Sequence, residues 1–482
     1  MPHTINVLFL AAEADPFVKV GGLGDVAGAL PRALRALPPE VLGDFKLDIR
    51  LVLPLHSAVR AESLRPLTVY SIPRGDSEVQ VEAFESTLDG MPVYFISGDP
   101  IRKSGSVYSS NAAEDGEKYA FFSLAALELP RQINWKVDLI HANDWHTALV
   151  AYENLTKRWE EGAQRIASLI TLHNLPFMGP DVSGVLQSYG LPMAQTDLPE
   201  WARVLPLPLG LWASDAIVAV SPSYGQEILG PEFGCGLQDF LSTRRNTLQG
   251  ILNGIDTGSY NPLTDSTLAA KFSSETLSLR AHNKAALQEH VDLPLAPNVP
   301  LLGIVSRMDP QKGIDLAIKA LNSLKSASFQ AVILGSGDSK LEEAARELQT
   351  NRSDRVRVVA RFDAQLARLI YGGADLLLMP SRYEPCGLAQ MIAMRYGCVP
   401  LARAAGGLRD TVNEDVGFLF EKATSTALGA AIRRALKVYP DREAWNKLQQ
   451  AGMAKDFSWG NSAQQYFVLY QKLVHQTIPS VS

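Results

Sequence analysis

Cysteine is scarce in this chain: only Cys235, Cys386 and Cys398 occur in 482 residues. None stands in a Cys-x-x-Cys spacing or beside a histidine cluster, which excludes a zinc module and a disulfide framework and reads as thiols in a reducing compartment. Long apolar runs are missing too, since none approaches the roughly 20 residues a membrane span requires. The chain enters an apolar segment at once, Ile5 to Ala12, without the basic lead-in and small-residue cleavage site of a signal peptide. The expectation is a cytoplasmic protein that engages no membrane. Positive charge is not in excess: a net charge of −6 excludes a general nucleic-acid footprint and leaves any anionic ligand to a few placed cations.

What is present is core. With 46% hydrophobic and 20% charged residues over 482 positions, the chain exceeds what one hydrophobic core usually supports, and two domains are expected. Short apolar runs alternate with longer amphipathic stretches, the pattern of βαβ units around parallel sheets covered on both faces. Strands are predicted at residues 7–12, 48–53, 93–96, 139–141, 168–171 and 217–220, and in a second series at 301–305, 331–334, 356–359, 376–379 and 399–401. Between the first two, Leu23 to Leu37 places Val26, Leu30, Ala33, Leu34 and Leu37 on one helical stripe. Turn-rich sequence at Asn253-Gly254-Ile255-Asp256 marks the boundary, giving domains 1–252 and 253–459. In open α/β sheets ligands sit beyond the carboxyl ends of the strands, so the loops there are where chemistry is sought.

Five such loops stand out. The first, Lys19 to Asp25, sets Gly21 and Gly22 between a strand and a helix, where backbone N–H groups, a helix N-terminus and Lys19 suit a phosphate. The second, Ser306 to Gly313, holds Arg307 and Lys312 five residues apart after a buried strand, a fork and a point charge that suit a diphosphate. In the third, Ser381 to Leu388, Pro385 fixes φ and Gly387 permits close approach, so the amides of Gly387 and Leu388 open a helix and Glu384 projects from the strand end. The fourth and fifth, Asn143-Asp144-Trp145-His146 and Thr171-Leu172-His173-Asn174, follow two strands of the first domain. Asp144 and His146 also suit capping of the next helix; His173 precedes a Pro/Gly loop, which capping explains less well. A further glycine turn, Gly406-Gly407, suits phosphate or ribose and equally a plain turn.

Taken together, these segments resemble the bacterial glycogen synthase and plant starch synthase family of retaining glycosyltransferases. The resemblance spans nearly the whole chain, from Lys19–Asp25 through His141–His146, His173-Asn174, Ser221-Pro222, Asn253–Asp256, Ser306–Gly313, Gly372–Asp375, Ser381–Leu388 and Gly406–Leu408 to Asp456–Trp459. It implies the GT-B fold: two Rossmann-like α/β domains with parallel sheets facing a deep interdomain cleft, and a C-terminal helix within 460–482 crossing back to the N-terminal domain. It implies transfer of glucose from a nucleotide diphosphate glucose, ADP-glucose favoured over UDP-glucose, to the non-reducing end of an α-1,4-glucan such as a maltooligosaccharide, glycogen or starch. Configuration is retained, and neither metal nor cofactor is required. The catalytic set it implies is Glu384, Arg307, Lys312 and His173. Donor contacts fall to Lys19, Gly21, Gly22, Asn253, Phe362, Cys386, Gly387 and Leu388, with Asp25 and Asp144 on the acceptor side or in support.

The chain departs from the family pattern at Phe177 and Met178, where many relatives carry Tyr and Gln, at Pro206–Gly210, at Phe362, which keeps a π-face without a hydroxyl, and at Ala389. Two other readings stay open at this stage: a GT-B transferase with another donor or acceptor, and a non-catalytic glucan-binding homologue. A nicotinamide dehydrogenase is disfavoured, because the first loop lacks Gly-x-Gly-x-x-Gly spacing.

Overall fold

The computed structural model describes residues 3–61, 63–157, 166–193 and 195–477. It divides into two compact units, one formed by the described residues up to Gly254 together with the helix Trp459–Thr477, the other by Ile255–Ser458. Of the expected C-terminal segment 460–482, the helix covers the residues up to Thr477; positions 478–482 lie outside the described residues.

In the first unit the strands are β1 (His3–Leu10), β2 (Phe45–Pro54), β3 (Arg65–Arg74), β4 (Ser77–Leu88), β5 (Met91–Ser97), β6 (Leu139–Asn143), β7 (Ala167–Leu172), β8 (Ala216–Ala219) and β9 (Leu248–Gly250). They form one sheet in the order β3-β4-β5-β2-β1-β6-β7-β8-β9. The pairs β1–β2, β1–β6, β2–β5, β6–β7, β7–β8 and β8–β9 are parallel, and β3–β4 and β4–β5 antiparallel. The central strands β6 and β7 are buried at every position, as a parallel sheet covered on both faces requires.

The antiparallel pair β3 and β4 was not anticipated. Its strands are half exposed and alternate rather than run apolar, and Pro66 and Pro73 interrupt β3, so they lack the mark that identifies central strands. The turn between them, Gly75-Asp76, uses a positive φ at Gly75. The three-residue strand β9 is likewise too short to register in an apolar pattern.

In the second unit, β10 (Leu301–Val305), β11 (Gln330–Leu334), β12 (Val356–Val359), β13 (Leu376–Met379), β14 (Val399–Arg403) and β15 (Phe418–Phe420) make an all-parallel sheet in the order β12-β11-β10-β13-β14-β15. Only β15, three residues long, falls outside the predicted series.

The helix Gly22–Arg35 follows the first glycine loop and buries Val26, Ala27, Leu30 and Leu34 in the core with β1 and β2; Leu37 packs from the turn beyond its end. Against it lies the helix Trp459–Thr477, which contributes Ala463, Tyr466, Phe467, Tyr470 and Leu473 to the same core. The return of the chain is fixed by polar contacts as well. The buried His141 imidazole meets the Tyr470 hydroxyl at 2.6 Å through Nδ1 and the Thr171 hydroxyl at 2.8 Å through Nε2.

The first helix lies directly on the loop before it. The Asp15 amide donates to the Gly24 carbonyl at 3.0 Å, and a Cβ at Gly28 would overlap the Asp15 carbonyl oxygen. Gly28→Ala is therefore expected to lower stability by about 1–3 kcal/mol through overpacking, despite alanine's better helix propensity. Chemical denaturation checks this; an unchanged or raised midpoint would show that the loop gives way freely.

Candidate active site

In the second unit the carboxyl ends of β10 and β13 enclose a cavity of about 140 Å³ lined by Arg307, Lys312, Glu384, Gly387 and Leu388 among others. Three loops bring these residues together, and glycine makes each approach possible. Gly313, at φ 66°, lies against the Pro380 carbonyl so closely that a Cβ would overlap it. Gly406, at φ 45°, does the same against the Glu384 carbonyl, and Gly407 against Cys386, with the Gly407 amide donating to the Glu384 carbonyl at 3.1 Å. The glycine turn at 406–407 is thus explained by packing against the Glu384 loop.

Glu384 is only 5% exposed. Its carboxylate accepts two hydrogen bonds from Lys312 Nζ, at 2.8 Å through Oε1 and 2.7 Å through Oε2, and a third from the Ser381 hydroxyl at 2.9 Å. Such an ammonium has three donors, so one N–H of Lys312 remains to point elsewhere. Asp309 caps the short turn Pro310–Lys312, accepting from the Lys312 amide at 3.1 Å, and pairs with Arg307 at 3.2 Å. Arg307 itself is 59% exposed, a cation at the mouth of the cavity. Cys386 is buried, and its carbonyl, with that of Gly387, accepts from the Gln390 amide nitrogen at 3.1 and 2.9 Å. Gly387 has φ 75° and Leu388 stands at the start of the helix Ala389–Arg395. Phe362 lies three residues beyond the carboxyl end of β12 with 85% of its surface exposed.

The first unit gathers a second set. Its first loop is organised by a residue that carries no sequence motif, Glu13, whose buried carboxylate accepts from the amides of Val20 and Gly21 and, at 2.8 Å, from the Tyr108 hydroxyl. The Gly21 amide, expected to face a phosphate, is thus engaged by a carboxylate of the protein itself; Gly22 begins the helix. Lys19 meets Asp25 at 2.5 Å and Asp15 at 3.8 Å.

Asp144 corrects the capping alternative. It adopts φ 53° just past β6, a left-handed conformation that aspartate tolerates, and its carboxylate accepts from the amides of His173 at 2.7 Å and Asn174 at 3.3 Å. It therefore ties the loop after β7 to the loop after β6 and leaves the helix Trp145–Lys157 uncapped by its side chain. His146 is no cap either: its ring lies 4.2, 4.7 and 5.1 Å from those of Trp145, Tyr119 and Tyr108, and its Nδ1 is buried without a hydrogen-bond partner.

His173 is oriented by Asn143. The Asn143 amide nitrogen donates to the Leu10 carbonyl at 2.9 Å, which can only accept, so its oxygen must face His173 Nε2 at 3.0 Å. His173 accordingly carries its proton on Nε2 and presents Nδ1 as an acceptor. Asn253, just past β9, is buried, and its side-chain oxygen has no hydrogen-bond partner. Among the described residues no cluster of His, Cys, Asp and Glu has the form of a metal site, and no helix is long and apolar enough to cross a membrane.

Comparison with known proteins places this geometry. Residues 6–243 match the starch synthase catalytic domain and residues 287–451 the group 1 glycosyl transferases. The chain is 39% identical to a glycogen synthase of Streptococcus sanguinis and 37% identical to one of Streptococcus pneumoniae, covering 98% of this chain and 100% of theirs in both cases. The catalytic domain of starch synthase IV from Arabidopsis thaliana, solved with ADP and acarbose, superposes with a TM-score of 0.88 at 34% identity, over 98% of this chain and all of that one. Sucrose-phosphate synthase from Thermosynechococcus elongatus, at 20% identity and a TM-score of 0.63, shares the fold. Fold and site therefore define a GT-B glycosyltransferase. The chain belongs to the glycogen and starch synthase family.

Burial gives the first unit a definite response to acid. It pushes the His173 and His56 imidazoles down to about 3, and those of His141 and His146 well below the ordinary histidine range. Each stays neutral when folded and takes up a proton on unfolding below about pH 6.5, so each makes stability rise with pH up to about 6.5, from about 3 for His173 and His56. Asp144 opposes them: burial, outweighing the amides of His173 and Asn174, pushes its carboxyl up to about 7, so between about pH 4 and 7 it favours folding less as pH rises. Each group contributes at most about 1.4 kcal/mol per pH unit, and four outweigh one. The melting temperature is expected to climb from about pH 5 to about 6.5; a flat or falling profile would contradict the burial of these histidines.

Proposed function

We propose that this chain transfers glucose from a nucleoside diphosphate glucose to the 4-hydroxyl at the non-reducing end of an α-1,4-glucan, with retention at the anomeric carbon. The observation that carries the reading is the Lys312–Glu384 constellation at the carboxyl ends of β10 and β13, in a chain that aligns with glycogen synthases from end to end. ADP-glucose is the favoured donor, a choice supported by the ADP bound to the Arabidopsis relative, and a glucan acceptor by the acarbose bound there.

In this reading Arg307 and the third N–H of Lys312 meet the donor diphosphate, where negative charge develops as the glucosyl C1–O bond breaks. The two cations supply that stabilisation without a metal. Glu384 has one acceptor position left after Lys312 and Ser381 are served, and it takes a hydroxyl of the donor glucose. Its charge is matched by Lys312, so it does not repel the incoming phosphates. His173 Nδ1 accepts from a sugar hydroxyl, and its neutrality over the physiological range follows from burial. The acceptor oxygen bonds to C1 on the face the diphosphate leaves, and its proton passes to the departing phosphate oxygen, so no second carboxylate is needed. Gly387 and Leu388 line the same cavity as the clamp. Cys386 with Gly387 and Leu388, Lys19, Gly22, Asn253 and the π-face of Phe362 complete the donor contacts, with Asp25 and Asp144 in support; the Gly21 amide, held by Glu13, is not among them.

The test is transfer of radiolabelled glucose to glycogen from ADP-glucose and from UDP-glucose in turn, with and without EDTA. The expected outcome is incorporation, faster from ADP-glucose and unchanged by EDTA. No incorporation from either donor would overturn the assignment, and a loss that magnesium restores would overturn the metal-free chemistry.

A further inference from the structure

A second cavity, about 480 Å³, lies within the second unit at the other end of the same sheet, where Asp375 leads into β13 and Pro297 precedes β10. Strand β10 has five residues, so at ~3.3 Å per residue roughly 15 Å separate this cavity from the loops that hold Arg307 and Lys312. Ligands of open α/β sheets gather at the carboxyl ends, and the transfer chemistry makes no use of this opposite end.

Its floor is cationic to an unusual degree. Arg280 is 5% exposed, yet no carboxylate pairs with it among the described residues. Its Nε donates to the Tyr396 carbonyl at 2.9 Å and its Nη2 to those of Tyr371 and Ala374 at 3.3 and 2.6 Å, which leaves Nη1 without a hydrogen-bond partner. Lys284, also buried, is saturated: it donates to Asp375 at 2.7 Å, to the Tyr439 hydroxyl at 3.0 Å and to the carbonyls of Pro297 and Val299. Asp375 is in direct contact with Lys284 and acts on Arg280 only at longer range, one negative charge against the three positive charges of Lys284, Arg280 and Arg442. Arg442, on the cavity's edge, lies 4.7 Å over the Tyr439 ring and has no carboxylate partner among the described residues. Two positive charges are thus in excess against one opening. Arg280 lines the opening, and the two N–H groups of its Nη1, which no protein acceptor among the described residues takes, are available to an anion there.

From this geometry we propose that the cavity is a binding site for a small organic phosphate monoester. A phosphate monoester carries between about one and a half and two negative charges at neutral pH, matching the two unpaired guanidinium groups, and its tetrahedral oxygens can serve both forks. The remaining wall is mixed: Leu277 and the 59%-exposed Leu295 are placed to cover a short carbon skeleton, and Ser278, Asn446 and Gln449 offer uncharged polar groups beside them. The volume lies in the range of small-molecule sites.

Glycerol 3-phosphate is the probe, titrated calorimetrically into the full chain. Because the Arg307/Lys312 clamp also attracts phosphate, the same titration is run on the Arg307→Ala/Lys312→Ala double variant and on Arg442→Glu. The latter sits at the exposed start of the helix Arg442–Met453, where an acidic residue is well tolerated, and an unchanged melting temperature confirms its fold. The expected result is one-to-one binding that survives in the double variant and weakens at least about tenfold in Arg442→Glu, with no heat from glycerol. Absence of binding, or binding that the double variant abolishes and Arg442→Glu leaves intact, overturns the proposal.

Discussion

The contact between Lys312 and Glu384 is the one on which the rest of the second unit's site depends. A carboxylate as deeply buried as Glu384 is tolerable only with its charge matched and its lone pairs occupied, and Lys312 and Ser381 do both. Removing either charge alone strands the other. The pair in turn demands that the loops after β10, β13 and β14 pack at backbone contact, which explains why glycine occupies 313, 406 and 407. The sheet supplies the strand ends, the glycines let the loops meet there, and the ion pair holds the meeting point in one geometry.

The first unit solves a similar problem with carboxylates that bind backbone rather than cations. Glu13 gathers the amides of Val20 and Gly21 within its own loop, and Asp144, just past β6, gathers those of His173 and Asn174 in the loop after β7. Asn143 then sets the tautomer of His173 through an amide whose orientation the Leu10 carbonyl dictates. The side chains with named roles are thus held by others, one step removed from the chemistry, whose task is positional.

Much of this was legible in the sequence for a physical reason. Central parallel strands are buried on both faces and read as unbroken apolar runs, so the strands carrying the site loops could be found, and with them Arg307, Lys312, Glu384 and His173. The β3–β4 hairpin could not, because one of its faces meets solvent and its apolar residues alternate. Glu13 was missed since it sits alone just past a strand, with nothing in its spacing to distinguish it from a solvated acid. The Gly406-Gly407 turn was legible as a glycine turn but not as a packing requirement, because the partner that needs it, the Glu384 carbonyl, is more than 20 residues earlier. Arg280 was equally silent: only the fold reveals that its neighbours are carbonyls and not carboxylates.

If Lys312 and Glu384 act as one unit, their removal should not be additive. The decisive measurement is the glucosyl transfer kcat of Lys312→Ala, Glu384→Gln and the double variant. The account predicts that Lys312→Ala alone loses about 10²–10³-fold and that adding Glu384→Gln costs little more. Losses that multiply, or a Lys312→Ala enzyme with near-normal kcat, would contradict it.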